Sequence, residues 1–174
     1  MDPQKVTEST HEGPTGTAAV VARARDAWQQ LSATAQDRLV GVALFVPTAT
    51  VLAIARVLVA DPLGHGTHQQ LGLGACTVLT LTGWPCPMCG MTTCFTHMAH
   101  LSPVEATLVQ PFGVVLFSVT VVLAVVGGLD LVWPRQRWRR LLAFALRHEG
   151  ALAGGLLGGM ALGWIYKVLE MGLI

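Results

Sequence analysis

The sequence predicts an all-α membrane protein with about three transmembrane helices and a re-entrant or interfacial helical hairpin that carries a C-P-M-C-G elbow. Hydrophobic residues make up 52% of the 174 residues and charged residues only 12%, a composition too apolar for an ordinary soluble domain. Three apolar segments are long enough to cross a bilayer. A shorter apolar run leads into a group of cysteines.

Nucleic-acid binding is excluded as a function class. The net charge is only +1, and the chain has no basic stripe, zinc-finger pattern or aromatic platform. The lipid bilayer is therefore the first partner that the composition predicts.

The N-terminal region differs from the rest of the chain. Residues 1–16 are polar and are predicted to form a flexible tail, because they cannot bury enough apolar surface to offset the entropy of ordering. Residues 17–38 have the pattern of an amphipathic helix lying on the membrane surface, with Trp28 near the headgroups. Neither segment has a signal-peptide core, so targeting must come from the first span of a single transmembrane domain, residues 39–174.

Each predicted span is about 20 residues or slightly longer, which matches a hydrocarbon core of roughly 30 Å. The spans are residues 39–60, 111–133 and 150–171. Their charged residues lie near helix ends, where a long side chain can reach the interface. These residues are Arg56, Asp130, Lys167 and Glu170. Three spans with charges in such positions argue against a transport path.

The third span has small residues at four-residue spacing, a pattern typical of close helix packing. The glycines are Gly154, Gly155, Gly158, Gly159 and Gly163. They predict a contact with another helix of this chain, a second copy or a different membrane protein, and the sequence leaves these alternatives open.

The arginines predict the orientation. Residues 61–110 contain no lysine or arginine, whereas the connection between the second and third spans is rich in arginine. The positive-inside rule then places the N-terminus in the cytoplasm and the C-P-M-C-G segment on the outer face of a bacterial inner membrane. That compartment permits disulfides.

The hairpin is predicted over residues 71–101. Residues 71–84 are too short to span and too apolar for a solvated loop, which favours a re-entrant or interfacial segment. Pro85 and Pro87 stiffen the chain around Cys86 and discourage helix. A second helix is expected to begin near Cys89 and to continue to about Leu101.

The cysteine segment resembles a known family. The resemblance rests on C-x9-C-P-M-C-G-M-T-T from Cys76, on L-T-G before it, and on His100-Leu101 and Q-P-F-G after it. It is similar to the bacterial multi-pass membrane family marked by C-P-x-C-G-x-T-R (domain of unknown function 2752), over about residues 58–135. Membership implies a small multi-pass membrane protein but does not imply any established activity. The motif residues are Cys76, Gly83, Cys86, Pro87, Cys89, Gly90, Thr92, Thr93 and His100, and Thr93 stands where the family has arginine.

Three kinds of chemistry are open to the cysteines. In a membrane thiol-disulfide oxidoreductase, Cys86 would be the nucleophile and Cys89 the resolving thiol, because a helix start favours a thiolate. Against this, no second C-x-x-C, quinone signature or flavin signature is present.

A metal site is the second alternative. Cys86, Cys89, Cys94 and His97 have the ligand types of a zinc site, and zinc or copper is the implied ion. On a continuous helix, however, Cys94 points about 140° away from Cys89. The pairs His65/His68 and His97/His100 give a weaker second option.

The preferred interpretation is structural. Cys76, Cys86 and Cys89 would form a local disulfide or a buried thiol cluster, with Gly90, Thr92 and Thr93 giving close backbone approach and helix-start hydrogen bonds. The predicted function is a non-catalytic membrane subunit or accessory protein without a firm cofactor.

Overall fold

A computed structural model describes residues 16–172, and every regular element in that range is helical. The predicted all-α class is therefore confirmed. The tail predicted for residues 1–16 lies outside the described residues except for Gly16. The elements are α1 (Thr17–Gln30), α2 (Ala33–Val57), a 3-10 turn (Thr67–Leu71), α3 (Thr77–Thr82), α4 (Met91–Ala99), α5 (Pro103–Val109), α6 (Pro111–Val132), α7 (Arg137–Arg147) and α8 (Glu149–Glu170).

Among residues 16–172, three helices are long and apolar enough to span a membrane, as predicted: α2, α6 and α8. Helix α2 begins earlier than the predicted residue 39. Helix α1, which was predicted as a surface helix, ends earlier than the predicted residue 38. The boundary between them is set by Ser32, whose Oγ accepts the Ala35 backbone N–H at 3.2 Å and caps α2. Because the first turns of α2 contain polar residues, the apolar pattern of the sequence did not reveal where this helix begins.

The first two spans pack with their backbones in contact. A methyl group added at Gly127 of α6 would lie 2.8 Å from the Phe45 backbone nitrogen, and one added at Gly41 of α2 would lie 3.0 Å from the Gly127 oxygen. Glycine at both positions allows this close approach. In contrast, only 11% to 17% of the most apolar window of each of these helices is buried, so most of their surface is not covered by other parts of residues 16–172.

A polar cluster joins α2, α6 and α7 at the end of the spans that carries the arginines. The Asp37 carboxylate accepts the Gln136 backbone N–H at 3.0 Å and the Trp138 indole N–H at 2.9 Å. Asp130 is buried and accepts from Arg137 Nη1 at 2.9 Å and from the Trp138 backbone N–H at 3.1 Å. The connection predicted as a loop thus contains a helix, α7, which these carboxylates hold against the spans.

The opposite end of the spans carries a small helical cap, residues 58–110, that contains the cysteines. Within it α4 packs against both α2 and α6, and Phe95 meets Phe117 edge to face at 5.3 Å between ring centroids. The helix predicted to begin at Cys89 begins instead at Met91. Gly90 has φ 86°, which places it in the left-handed region and prevents the helix from starting earlier.

Candidate functional site: the cysteine elbow and its cleft

The elbow, residues 83–90, joins α3 to α4 through tight turns. Gly83 ends α3 with φ 73°. Then the Cys89 backbone N–H donates to the Cys86 oxygen at 2.9 Å, and the Met91 N–H donates to the Met88 oxygen at 3.1 Å. This path points several backbone carbonyl groups outward from the turn, where other parts of the chain can bind them.

The end of α8 is bound to the cap by two aromatic side chains. The Trp164 indole N–H donates to the Pro85 carbonyl oxygen at 2.8 Å, and the Tyr166 hydroxyl donates to the Leu108 oxygen at 2.5 Å. Pro85 itself is fully buried. A buried carbonyl oxygen without a donor costs about 1 to 3 kcal/mol, so Trp164 stabilises the elbow as well as fixing the third span.

Gln110, between α5 and α6, links the elbow to α4 and α8. Its side-chain amide nitrogen is 3.5 Å from the Pro87 oxygen, and its backbone oxygen accepts the Cys94 thiol at 3.3 Å. A methyl group added at Gly163 would lie 3.0 Å from Gln110 Oε1. The Q-P-F-G segment and the C-P-M-C-G elbow, remote in sequence, therefore share one packed interface.

Lys167 has its side chain fully buried at the same interface. Its Nζ is 2.5 Å from Glu170 Oε2, and the two groups form an ion pair. The angles of this contact are not those of a hydrogen bond. A methyl group added at Gly64 would lie 3.1 Å from that Nζ, and one added at Gly90 would lie 2.8 Å from the Gly64 oxygen. The lysine therefore ends where the loop before the 3-10 turn meets the elbow.

A cleft of about 420 Å³ opens between residues 65–80 and the elbow. Three thiols line it, those of Cys76, Cys86 and Cys89, and His65 and His68 line it as well. Cys76 and Cys86 are partly exposed, whereas Cys89 is buried. The structure thus brings together the cysteines that the sequence groups in one cluster, with all of them as free thiols.

The thiols differ in acidity. The Leu79 backbone N–H lies near the Cys76 sulfur but does not form a helix-capping hydrogen bond with it. This N–H lowers the pKa of Cys76, and the Cys86 thiol lowers it by a smaller amount. Burial raises the pKa of Cys86, and the neighbouring Cys76 raises it further. Burial raises the pKa of Cys89 to about 11 and that of Cys94 to about 12. Of these thiols, Cys76 is the easiest to ionise.

The candidate metal ligands do not converge. Cys94 is fully buried against Gly113, on the far side of α4 from the cleft, and His97 is not among the residues that line the cleft. Among residues 16–172, no three histidine, cysteine, aspartate or glutamate side chains lie in an arrangement that could hold a metal ion.

The other motif residues have separate contacts. Thr93 is buried, and its hydroxyl shares a hydrogen bond of 2.8 Å with the Thr67 hydroxyl, which also accepts the Asp61 backbone N–H at 2.9 Å. Thr92 accepts the Thr96 hydroxyl through its backbone oxygen at 2.9 Å. His100 Nε2 is 3.0 Å from the Arg56 oxygen. The Thr93 contact holds α4 to the 3-10 turn and the His100 contact holds it to the end of α2, whereas the Thr92 contact lies within α4.

The glycines of α8 fall into two groups. A methyl group added at Gly159 or Gly163 would contact Phe112, so these two pack within the chain. At Gly154, Gly155 and Gly158 an added methyl group would meet no described atom within 4 Å. The predicted packing face is therefore partly used inside the chain and partly open.

Sequence reasoning missed the contribution of Trp164, Gln110 and Thr67. For Gln110 a signal was present, because a polar residue directly before an apolar span, followed by proline, needs a buried partner. Nothing in the sequence links Trp164 to Pro85, since the two are far apart along the chain.

Comparison with known proteins gives one match. No curated protein and no solved structure matches the chain. Residues 76–124 match a family model, and this segment begins at Cys76, includes the elbow and α4, and ends within α6. The matched segment is shorter than residues 58–135, over which the sequence resembles the family, but it supports the same family. Over this segment the chain is similar to the family described as "Protein of unknown function (DUF2752)".

Proposed function

We propose that this chain is a non-catalytic subunit or accessory protein of a bacterial inner membrane, in which the cysteine elbow is a structural element. We further propose that the N-terminus is cytoplasmic and that the cap lies half-inserted at the outer face. The distribution of arginine supports this orientation: residues 61–110 have no lysine or arginine, and α7 with its flanking residues has several.

The observation that carries the structural role is the attachment of α8 to the elbow. Trp164 binds the Pro85 oxygen, Gln110 approaches the Pro87 oxygen, and Gly90 lies against the Gly64 oxygen. The elbow backbone is thus occupied by internal contacts. Cys89, the second cysteine of the C-x-x-C pair, is buried, and its pKa is raised to about 11, which disfavours the thiolate that exchange chemistry requires.

The open part of α8 supports association with a second membrane helix. Gly154 and Gly158 are four residues apart and leave space at the surface of the helix. Small residues at this spacing allow helix backbones to approach closely in lipid. The partner that fits is a transmembrane helix with a small-residue face of its own.

The test compares adjacent glycines. Gly158→Leu would fill the open face, whereas Gly159→Leu would collide with Phe112 inside the chain. Each variant is expressed with a tag at native level in a bacterial host that carries the gene, and solubilised membranes are run on native gels. We expect the wild-type chain in an assembly larger than its own micelle. Gly158→Leu should shift it to the mass of the single chain with unchanged thermal unfolding, and Gly159→Leu should lower the unfolding temperature.

A control variant distinguishes the effect of a larger side chain anywhere on α8 from its effect on the face that carries Gly158. Ala153 is exposed and points about 140° away from Gly158 at 100° per residue, so Ala153→Leu should leave the assembly intact. Co-expression of two differently tagged copies distinguishes self-association from association with another protein. A wild-type chain that migrates alone, or an assembly that survives Gly158→Leu, overturns the subunit proposal.

A further inference from the structure

In the cleft beside the elbow the cysteines differ in exposure, in a way that the C-x-x-C spacing does not predict. Cys76, at the start of α3, and Cys86, in the elbow, both line the cleft and are both partly exposed. Cys89 lines the same cleft but is buried. The two accessible thiols therefore flank helix α3, with Cys76 directly before it and Cys86 in the elbow after it, and do not come from one turn.

The two accessible thiols also interact with each other. The Cys86 thiol contributes to lowering the pKa of Cys76, and the presence of Cys76 contributes to raising that of Cys86. This opposite effect is expected when one sulfur of a close pair ionises first and the other retains its proton. Cys76 has the properties of an attacking thiolate, and Cys86 those of a thiol that reacts second.

We propose that Cys76 and Cys86, and not Cys86 and Cys89, form a reversible dithiol pair that exchanges with disulfides entering the cleft. The substrate class is an accessible disulfide of a small molecule or an extended peptide, because the cleft of about 420 Å³ admits no folded domain. This stoichiometric redox change of the cleft thiols goes beyond the structural role of the elbow, is compatible with a non-catalytic subunit, and needs only the single chain.

The exchange takes place in two balanced steps. The Cys76 thiolate attacks one sulfur of the substrate disulfide, so that a mixed disulfide forms, the substrate S–S bond breaks and one substrate thiolate leaves. Cys86 then gives its proton to a departing thiolate and attacks the Cys76 sulfur, which breaks the mixed disulfide and forms the Cys76–Cys86 bond. The second substrate thiolate leaves and takes up the proton released when Cys76 ionised. Overall, two protein thiols are oxidised and one substrate disulfide is reduced to two thiols.

Burial explains why Cys89 takes no part. Cys89 is buried and directly precedes Gly90, which packs against the Gly64 backbone oxygen. Its thiolate is also disfavoured more strongly than that of Cys76. A Cys76–Cys86 bond would join the two partly exposed thiols of the cleft, whereas a Cys86–Cys89 bond would have to use a buried thiol.

The experiment uses the purified full chain in detergent and oxidised glutathione as the probe. The reduced protein is titrated with mixtures of reduced and oxidised glutathione, quenched with acid, alkylated and mapped by mass spectrometry. The Cys76–Cys86 disulfide is expected to form first and to be reversed by excess reduced glutathione. Cys89 and Cys94 should remain alkylatable over the same range.

Variants assign the two roles. Cys86→Ser should accumulate glutathione on Cys76, since the resolving thiol is missing. Cys76→Ser should acquire glutathione on Cys86 about three- to tenfold more slowly, because the attacking thiolate is missing. Cys89→Ser, the matched control, should still form the Cys76–Cys86 bond. A first-formed Cys86–Cys89 disulfide, or a Cys76 that stays reduced while free dithiothreitol is oxidised in the same buffer, would overturn the proposal. The wild-type measurement decides the question even where a variant fails to fold.

Discussion

Trp164 in the last turns of the third span donates its indole N–H to the carbonyl oxygen of Pro85 in the cysteine elbow, at 2.8 Å. The contact joins residues that belong to different layers of the molecule, a transmembrane helix and a cap. Because Pro85 is buried, the carbonyl oxygen depends on this donor. The elbow and the end of α8 thus form one packed unit.

Removing the indole N–H should weaken that unit. Trp164→Phe keeps an aromatic ring but leaves the Pro85 oxygen without its donor, so the free energy of unfolding should fall by about 1 to 3 kcal/mol. Equilibrium unfolding in detergent measures the loss. Trp133→Phe is the control, since the Trp133 side chain is 60% exposed, and it should change stability by less than half as much. Equal losses in the two variants would contradict the assigned contact.

Gly90 should tolerate no side chain. Alanine there adopts φ 86° at a cost of about 1 to 2 kcal/mol, and its methyl group would lie 2.8 Å from the Gly64 oxygen, which adds about 1 to 3 kcal/mol for overpacking. Gly72 offers a matched control, because it has φ 75° but open space around an added methyl group. Thermal unfolding should therefore fall further for Gly90→Ala than for Gly72→Ala. The same decrease in both would show that only backbone strain matters.

The polar cluster at the other end should hold α7 in place. Asp130→Asn removes the charge that binds Arg137 and the Trp138 N–H, a loss of about 1.5 to 3 kcal/mol for charge-assisted hydrogen bonds. Hydrogen exchange of residues 137–147 should accelerate. Glu149→Gln, at the exposed start of α8, should leave that exchange unchanged. Retained protection in Asp130→Asn would mean that α7 is held by its apolar face alone.

Alkylation should follow the order of the thiol pKa values. A maleimide or iodoacetamide reacts with thiolate, so a lowered pKa makes a cysteine reactive at lower pH and a raised pKa delays reaction. As the pH rises from 7 to 10, Cys76 should be labelled first. Cys89 and Cys94, with pKa values raised to about 11 and about 12, should stay largely unlabelled until the protein unfolds. Denatured protein, in which all four cysteines should react alike, provides the control.

The parts of the fold that depend on local pattern could be predicted from the sequence. The three spans follow from apolar length, and the interruption around Cys86 follows from Pro85 and Pro87. The start of α2 could not be predicted, because Asp37 resembles a surface residue until Gln136 and Trp138 bind its carboxylate. Helix α7 could not be predicted either, because its arginines are typical of a connecting loop that sets the orientation of a membrane protein.

The candidate site was predictable as a set of residues but not as an arrangement. The C-P-M-C-G spacing indicates a cysteine cluster, and the structure brings Cys76, Cys86 and Cys89 to one cleft. Which thiols are accessible depends on the tertiary fold, since Cys89 is buried whereas Cys76 and Cys86 are partly exposed. The sequence places Lys167 as a charge near a helix end, whereas its side chain is fully buried in the fold.

The contacts of Trp164 and Gly163 predict that the elbow and the last turns of α8 form one cooperative unit. Hydrogen-exchange mass spectrometry of the full chain in detergent, at increasing temperature, tests it most directly. Residues 83–94 and residues 159–170 should lose protection together, at one temperature, and Trp164→Phe should lower that temperature for both segments. If residues 159–170 lose protection while residues 83–94 remain protected, the elbow is stable without α8, and its contacts with the third span do not maintain it.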